Sequence, residues 1–206
     1  MKVEAKAAQP VEDEAAKAAT GRTMQEWYAL IDDAGGVTLG RKGVNDLLFG
    51  KHKVDAWWTS TLATEYERAR GLKEKDGRPR GYAICVTKNV KSPAAKVFEA
   101  FTETPRLSKW FGKATQVQAT EGGRWSDGDG HSGAYTKLAP GKTVRFTWLD
   151  ETTGNESQVE LKITEKNGVS GLVLNHERIQ DRGEADGLRA AWGEAVSTLK
   201  ALVEGG

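Results

Sequence analysis

The string GDGHSG, residues 128–133, satisfies G-x-G-x-x-G. Such glycines cradle phosphate in two settings. Between a strand and a helix they bring pyrophosphate to the helix N-terminus. Between two strands they form the glycine-rich loop of kinases. The next residues are AYTKLAPGKTVRF, in which Tyr135, Thr136 and Pro140 argue for a strand and then a turn. The dinucleotide reading therefore lacks its helix. The kinase reading lacks every V-A-I-K, H-R-D and D-F-G partner. A calcium loop starting at Asp127 would put Ser132 where glycine is required and Leu138 where the bidentate glutamate belongs. PGKT at 140–143 has Thr136 in place of the upstream glycine of a phosphate-binding loop. Asp-Gly pairs are hairpin-turn chemistry, so the string reads as a turn between two strands.

Other chemistry-bearing residues are sparse. The histidines, His52, His131 and His176, stand in three separate segments without i, i+4 pairing, so no metal site is expected. Cys85 lies mid-strand and reads as a small buried apolar residue rather than a nucleophile. His176 comes two residues after Leu174 and should share its inward face. Its imidazole could hydrogen-bond a ligand or act as acid/base. The plainer alternative is a partly buried histidine paired with backbone or with Glu177. There is no paired carboxylate or triad, and no motif calls for a cofactor.

The elements that must position these groups emerge from composition and periodicity. The chain has 206 residues, 30 basic and 29 acidic, so nothing suggests a nucleic-acid partner. No apolar run suits a membrane span. The N-terminus lacks a signal-peptide core, and with one cysteine a cytoplasmic location is expected. Residues 1–20, rich in Ala, Glu and Lys, read as a disordered tail with transient helix. Residues 21–70 read as a three-helix module. TMQE at 23–26 is a capping box, a short helix spans about 42–49, and Trp58, Leu62, Tyr66 and Ala69 form a stripe on the third helix. Trp27, Trp57 and Trp58 belong to its core. Residues 71–81 form a linker.

From residue 82 the pattern changes. Tyr82, Ile84 and Val86 alternate as a strand. Ser92 as cap and Pro93 at the first position start a helix, and TPRLSKWFG holds a second, short one. Alternating strands then carry Val144, Phe146 and Trp148, then Val159, Leu161 and Ile163, then Leu172 and Leu174. Leu188, Trp192, Ala195, Leu199 and Leu202 mark one long amphipathic C-terminal helix. Strands segregated from helices imply an α+β fold in which that helix covers one face of an antiparallel sheet.

The ordered set SPAAKVFEAFTETPRLSKWFG, EGGRW, the Tyr135–Pro140 strand and turn, VRFTW, LVLNHE and WGEAVSTLKALVE resembles the SRPBCC (START-like) superfamily over roughly residues 82–204. The nearest branch is the one related to the activator of the ninety-kilodalton heat-shock protein ATPase. The resemblance implies a helix-grip fold, a curved sheet wrapped around the C-terminal helix and enclosing an apolar cavity. Its members include lipid carriers, hormone receptors, polyketide cyclases and co-chaperone domains. Residues 20–70 resemble a small helical domain of unknown function that often precedes such a domain in bacterial proteins.

In that fold Trp110, Phe111, Trp125, Phe146, Trp148, Leu174 and Trp192 converge on one interior, which they either fill or line as a pocket. Tyr135 and His176, with Arg124 and Asn175, are the polar candidates near it. The expected function is binding of a small hydrophobic molecule between sheet and C-terminal helix. The rivals are a cyclase, dehydratase or hydrolase using His176 or Tyr135, and a co-chaperone-like protein interaction through the helical module.

Overall fold

The computed structural model describes residues 1–4 and 11–205. Part of the expected N-terminal tail, residues 5–10, lies outside the described residues. Contacts divide the chain into two units: residues 1–4 with 83–205, and residues 11–82.

The helical unit contains α1 (Asp13–Thr20), α2 (Met24–Asp33), α3 (Gly40–Asn45) and α4 (Ala56–Ala69). The expectation of a tail up to residue 20 is corrected at α1, which is formed. Its Ala16 is fully buried, Asp13 Oδ1 accepts from Met24 N at 2.8 Å, and Thr20 Oγ1 accepts from the Trp27 indole at 2.7 Å. Alanine suits this role because a helix with no side chain beyond Cβ can pack closely. The capping box is present: Glu26 N donates to Thr23 Oγ1 at 3.2 Å and Thr23 N to Glu26 Oε2 at 2.8 Å. The expected 42–49 helix divides into α3 and a π-helical turn, Asp46–Lys51. Trp27, Ile31, Leu48, Leu62 and Tyr66 are the core of this unit, with Trp57 packed partly against it, whereas Ala69 is exposed.

The second unit has β1 (Tyr82–Val90), α5 (Ala94–Thr102), α6 (Thr104–Leu107), β2 (Gln116–Val117), β3 (Arg124–Ser126), β4 (His131–Ala139), β5 (Thr143–Asp150), β6 (Glu156–Lys166), β7 (Val169–Ile179) and α7 (Arg182–Glu204). The strands form one sheet in the order β1-β7-β6-β5-β4-β3-β2, antiparallel from β2 through β7. Register stacks the apolar residues in rows. Val144, Leu161 and Leu174 stand opposite one another, as do Phe146, Val159 and His176. One slip of register would turn every one of them to solvent. The stripe of α7 (Leu188, Trp192, Ala195, Val196, Leu199) is buried along with that face, and its last turn is tied to the end of β1. Lys200 Nζ donates to the Asn89 carbonyl at 3.0 Å, and Lys91 N donates to Glu204 at 2.6 Å.

Two local expectations are corrected. Cys85 is exposed, because the alternation that turns Ile84 and Val86 one way turns it the other. Ser92 does not cap α5, whose Ncap position falls on Pro93. The capping acceptor comes instead from β6: Glu165 Oε2 accepts from Ala94 N at 2.8 Å. Ser92 is held by its carbonyl, which accepts from Ser170 Oγ at 2.6 Å. Glu165→Ala should therefore destabilise by about 1 kcal/mol and lower Tm by about 2–4 °C, and Ser92→Ala should shift it less. Thermal melts of the two variants check this.

Candidate functional site

All nine candidate residues are buried: Trp110, Phe111, Trp125, Tyr135, Phe146, Trp148, Leu174, His176 and Trp192. Alternation explains the strand members, and the 3.6-residue period explains Trp192. Trp110 and Phe111 come after α6 in a segment of turns. Their rings interlock edge-to-face or tilted. Trp125 meets Phe146 at 5.4 Å and Trp148 at 5.2 Å between centroids, and Trp148 meets Trp192 at 5.7 Å. These separations suit attractive edge-to-face or offset pairs.

Among the described residues, the interior around these rings is filled rather than hollow. The void left among Phe101, Leu107, Phe111, Trp125, Tyr135 and Phe146 is about 10 Å³, room for about one water at most. Phe101 and Leu107 are additions to the sequence-derived set. Their signal is the apolar stripe of α5 and the one-turn α6.

His176 is fully buried and satisfied on both sides. The Trp192 indole N–H donates to Nδ1 at 3.0 Å. An indole only donates, so Nδ1 is the acceptor and Nε2 carries the proton. Nε2 donates to Ser157 Oγ at 2.7 Å, and Ser157 donates to the Trp148 carbonyl at 3.3 Å. Burial, reinforced by the nearby charge of His131, pulls the His176 pKa down to about 3. The pairing with backbone or Glu177 is thus replaced by a chain through Trp192, Ser157 and Trp148. Neither ring nitrogen is left for a ligand or a proton transfer. Ser157 escapes the sequence reading, although the alternation from Val159 points it inward.

Tyr135 donates through its hydroxyl to the Phe101 carbonyl at 2.7 Å, and burial raises its pKa. Arg124 is exposed and Asn175 is half-buried on the outward face of β7, so neither joins the interior.

The GDGHSG hairpin contributes differently from any phosphate loop. It is the turn from β3 into β4, with Gly130 at φ +89°. Asp127, just before it, accepts from the backbone of Asp129 and His131 at 3.0 Å each, and its carboxylate lies 3.0 Å from His131 Nδ1. The Met1 amino group also donates to it, at 2.6 Å. Burial opposes ionisation of Asp127, but the hydrogen bonds from His131 and Met1 outweigh it and hold the pKa at about 2. His131 in turn lies against Trp148, 4.6 Å between centroids. Gly133 faces Trp125 across the β3–β4 pair, and the Trp125 indole crosses to donate to the Thr147 carbonyl of β5 at 3.1 Å. Among the described residues no group of His, Cys, Asp and Glu is arranged to hold a metal ion, and no helix is long and apolar enough to cross a membrane.

Comparison with known proteins agrees with this architecture. A family model described as "Activator of Hsp90 ATPase homolog 1-like protein" matches residues 91–204. No curated protein matches the chain. Among solved structures it is similar to CalU16 from Micromonospora echinospora, with 22% identity, 60% of this chain and 76% of that one covered, and a TM-score of 0.53. It is also similar to PFC0360w, an HSP90 activator from Plasmodium falciparum, with 18% identity, 58% and 94% covered, and a TM-score of 0.54. The Aha1 dimer from Colwellia psychrerythraea matches with 19% identity, 59% and 96% covered, and a TM-score of 0.53. At these identities the likeness is one of fold. The family match spans more than half of the 206 residues, and the chain belongs to the Activator of Hsp90 ATPase homolog 1-like family.

Proposed function

We propose that the protein binds a small apolar molecule against the aromatic interior of its sheet-and-helix unit, and that the ligand enters by displacing a side chain. The observation that carries this reading is the void lined by Phe101, Leu107, Phe111, Trp125, Tyr135 and Phe146. It is bordered by six large apolar or aromatic side chains and no charge, a lining suited to an apolar ligand. Ligand sites usually offer about 300–1,000 Å³, and this one offers about 10 Å³. Displacement is therefore a requirement of the reading. Burial of ligand surface supplies the affinity, while His176, with both nitrogens engaged, holds Trp148 and Trp192 in place.

The test is native mass spectrometry of the protein purified from its own host. An adduct of apolar character is the expected result. A bare mass in repeated preparations, with no thermal stabilisation by an apolar compound library, would sink the reading.

The filled interior favours a second reading, protein binding through the surface. The sheet carries an open groove of about 580 Å³ on its outer face, bordered by Arg124, Ser132, Thr147, Leu149 and Glu156. The helical unit exposes Phe49 to 58% on its π-helical turn. Pulldowns with and without residues 21–70, and with Phe49→Ser, separate these surfaces. A partner retained by both altered proteins excludes the helical unit as the contact.

A further inference from the structure

The interior aromatics differ in how they are held. Trp110, Trp125, Tyr135 and Trp192 are each tethered by a hydrogen bond, to Ala100 O, Thr147 O, Phe101 O and His176 Nδ1 respectively. Phe101 is set by α5, and Phe146 and Trp148 by β5. Phe111 has neither support. It is a hydrocarbon ring on the stretch of turns between α6 and β2. Yet it stands at the centre of the cluster, 5.4 Å from Trp110, 5.5 Å from Trp125, 5.9 Å from Trp148 and 5.7 Å from Trp192 between centroids. It also borders the void.

The segment that carries Phe111 has the means to move. Gly112 is its next neighbour in the chain, and Ala114 sits at φ +59°, a conformation strained for alanine. Lys113 and Ala114 are exposed. The neck of the loop is closed by one long side-chain hydrogen bond, from Ser108 Oγ to Thr115 O at 3.4 Å. Residues 108–110 stay bound to α6 through backbone bonds such as Trp110 N to the Leu107 carbonyl at 3.2 Å, so the movable part is residues 111–115. For it to swing, two backbone bonds must open: Phe111 N to the Leu107 carbonyl at 2.9 Å, and Gly128 N to the Lys113 carbonyl at 3.0 Å, where the tip meets the glycine hairpin. Strain of this kind persists where surrounding packing holds it, and it gathers at clamps and switches.

We propose that Phe111 is an internal plug, and that a planar aromatic molecule of one or two rings binds in its place when residues 111–115 swing outward while Trp110 keeps its bond to the Ala100 carbonyl. The proposal rests on the apolar-ligand reading above and names the ring that the ligand displaces. The walls set the chemistry. Trp125, Trp148 and Trp192 offer ring edges and faces already placed for edge-to-face and tilted contacts with a phenyl group. An aromatic guest inherits those contacts, whereas an aliphatic chain fills the space without the quadrupole pairing. Emptied of the phenyl group, the site is an apolar cavity of the kind that stays dry and admits an aromatic molecule.

The probe is 1-naphthol, titrated by calorimetry and by ligand-observed NMR, with 1-octanol as the aliphatic control. The wild-type protein should bind 1-naphthol in preference to 1-octanol, with aromatic cross-peaks to the indoles of Trp125, Trp148 and Trp192. Phe111→Ala should bind it at least about tenfold more tightly, because the cost of expelling the plug is removed. Phe111→Leu should fall between the two. Ala114→Gly relaxes the closed conformation and should weaken wild-type binding. Absence of 1-naphthol binding to the wild-type protein would overturn the proposal even if Phe111→Ala binds it, since Phe111 would then be an ordinary core residue. Equal affinities for wild type and Phe111→Ala would overturn it too, and the wild-type titration decides if neither variant folds. A bare mass from the native host, by contrast, removes the natural ligand without touching the plug.

Discussion

Valine at position 133 should leave no folded sheet-and-helix unit at 25 °C. Gly133 lies on β4, between β3 and β5. A Cβ built on it would overlap the Thr147 carbonyl oxygen and stand 2.7 Å from Trp125 Nε1. Neither neighbour is free to yield. The Thr147 carbonyl is backbone and accepts the Trp125 indole at 3.1 Å, while Thr147 Oγ1 accepts from Ala134 N at 3.0 Å. These two bonds tie β4 and β5 together between the Ser132↔Leu149 and Tyr135↔Phe146 pairs, just before the register shifts between Tyr135 and Lys137. A side chain at 133 breaks the indole contact, shifts Trp125 off Phe146 and Trp148, and opens the aromatic interior. The expected cost exceeds about 4 kcal/mol, a range confined to a few severe mechanisms and comparable to the whole stability of many domains. Gly193→Ala on α7 is the matched control. The added methyl meets nothing within 4 Å, and alanine should stabilise that helix by about 0.5–1 kcal/mol. Circular dichroism and thermal melts check both. A Gly133→Val protein that melts near wild type would refute the account of the close approach.

The second large effect is acid sensitivity from His176. Its pKa is about 3 in the folded protein, against an ordinary 6.5. The unfolded chain therefore binds a proton that the folded chain refuses throughout this interval. The stabilising contribution is fully present above about 6.5 and is lost as pH falls from there towards 3. At about 1.4 kcal/mol per pH unit, the loss amounts to a few kcal/mol. Asp127 adds a second loss only lower down, between its ordinary 3.8 and about 2. Urea titrations at a series of pH values from about 7.5 to about 4.5 should show stability falling with acid. The slope should be shallower in His176→Gln, which retains hydrogen-bonding capacity for Trp192 and Ser157 without the titration. Equal slopes would mean that His176 is not a buried neutral group.

Much of this architecture is legible in the sequence. The alternation of Val144, Phe146 and Trp148 with polar neighbours identifies the inward face of β5, and the spacing of Leu188, Trp192, Ala195 and Leu199 identifies that of α7. Period alone suffices, because a residue's face depends only on its own strand or helix. The failures are equally specific. Alanine-rich residues 13–20 read as tail because hydrophobicity underrates a helix that packs through small side chains. Ser92 reads as a cap from its position before Pro93, whereas the acceptor comes from Glu165, 71 residues away from Ala94.

GDGHSG illustrates the division. Asp-Gly pairs and the strand after them are enough to declare a turn. That Gly133 lets an indole pass, and that Asp127 and His131 form a buried pair against Trp148, appears only when three strands are laid side by side. The choice between a filled and a hollow interior belongs to the same kind. Side chains from α5, the turn after α6, four strands and α7 meet there, and whether they leave about 10 Å³ or several hundred depends on rotamers and interlocking volumes. Periodicity assigns each residue its face one element at a time. Volume, the partners of His176 and the plug made by Phe111 are properties of elements far apart in the chain brought into contact, which no local pattern records.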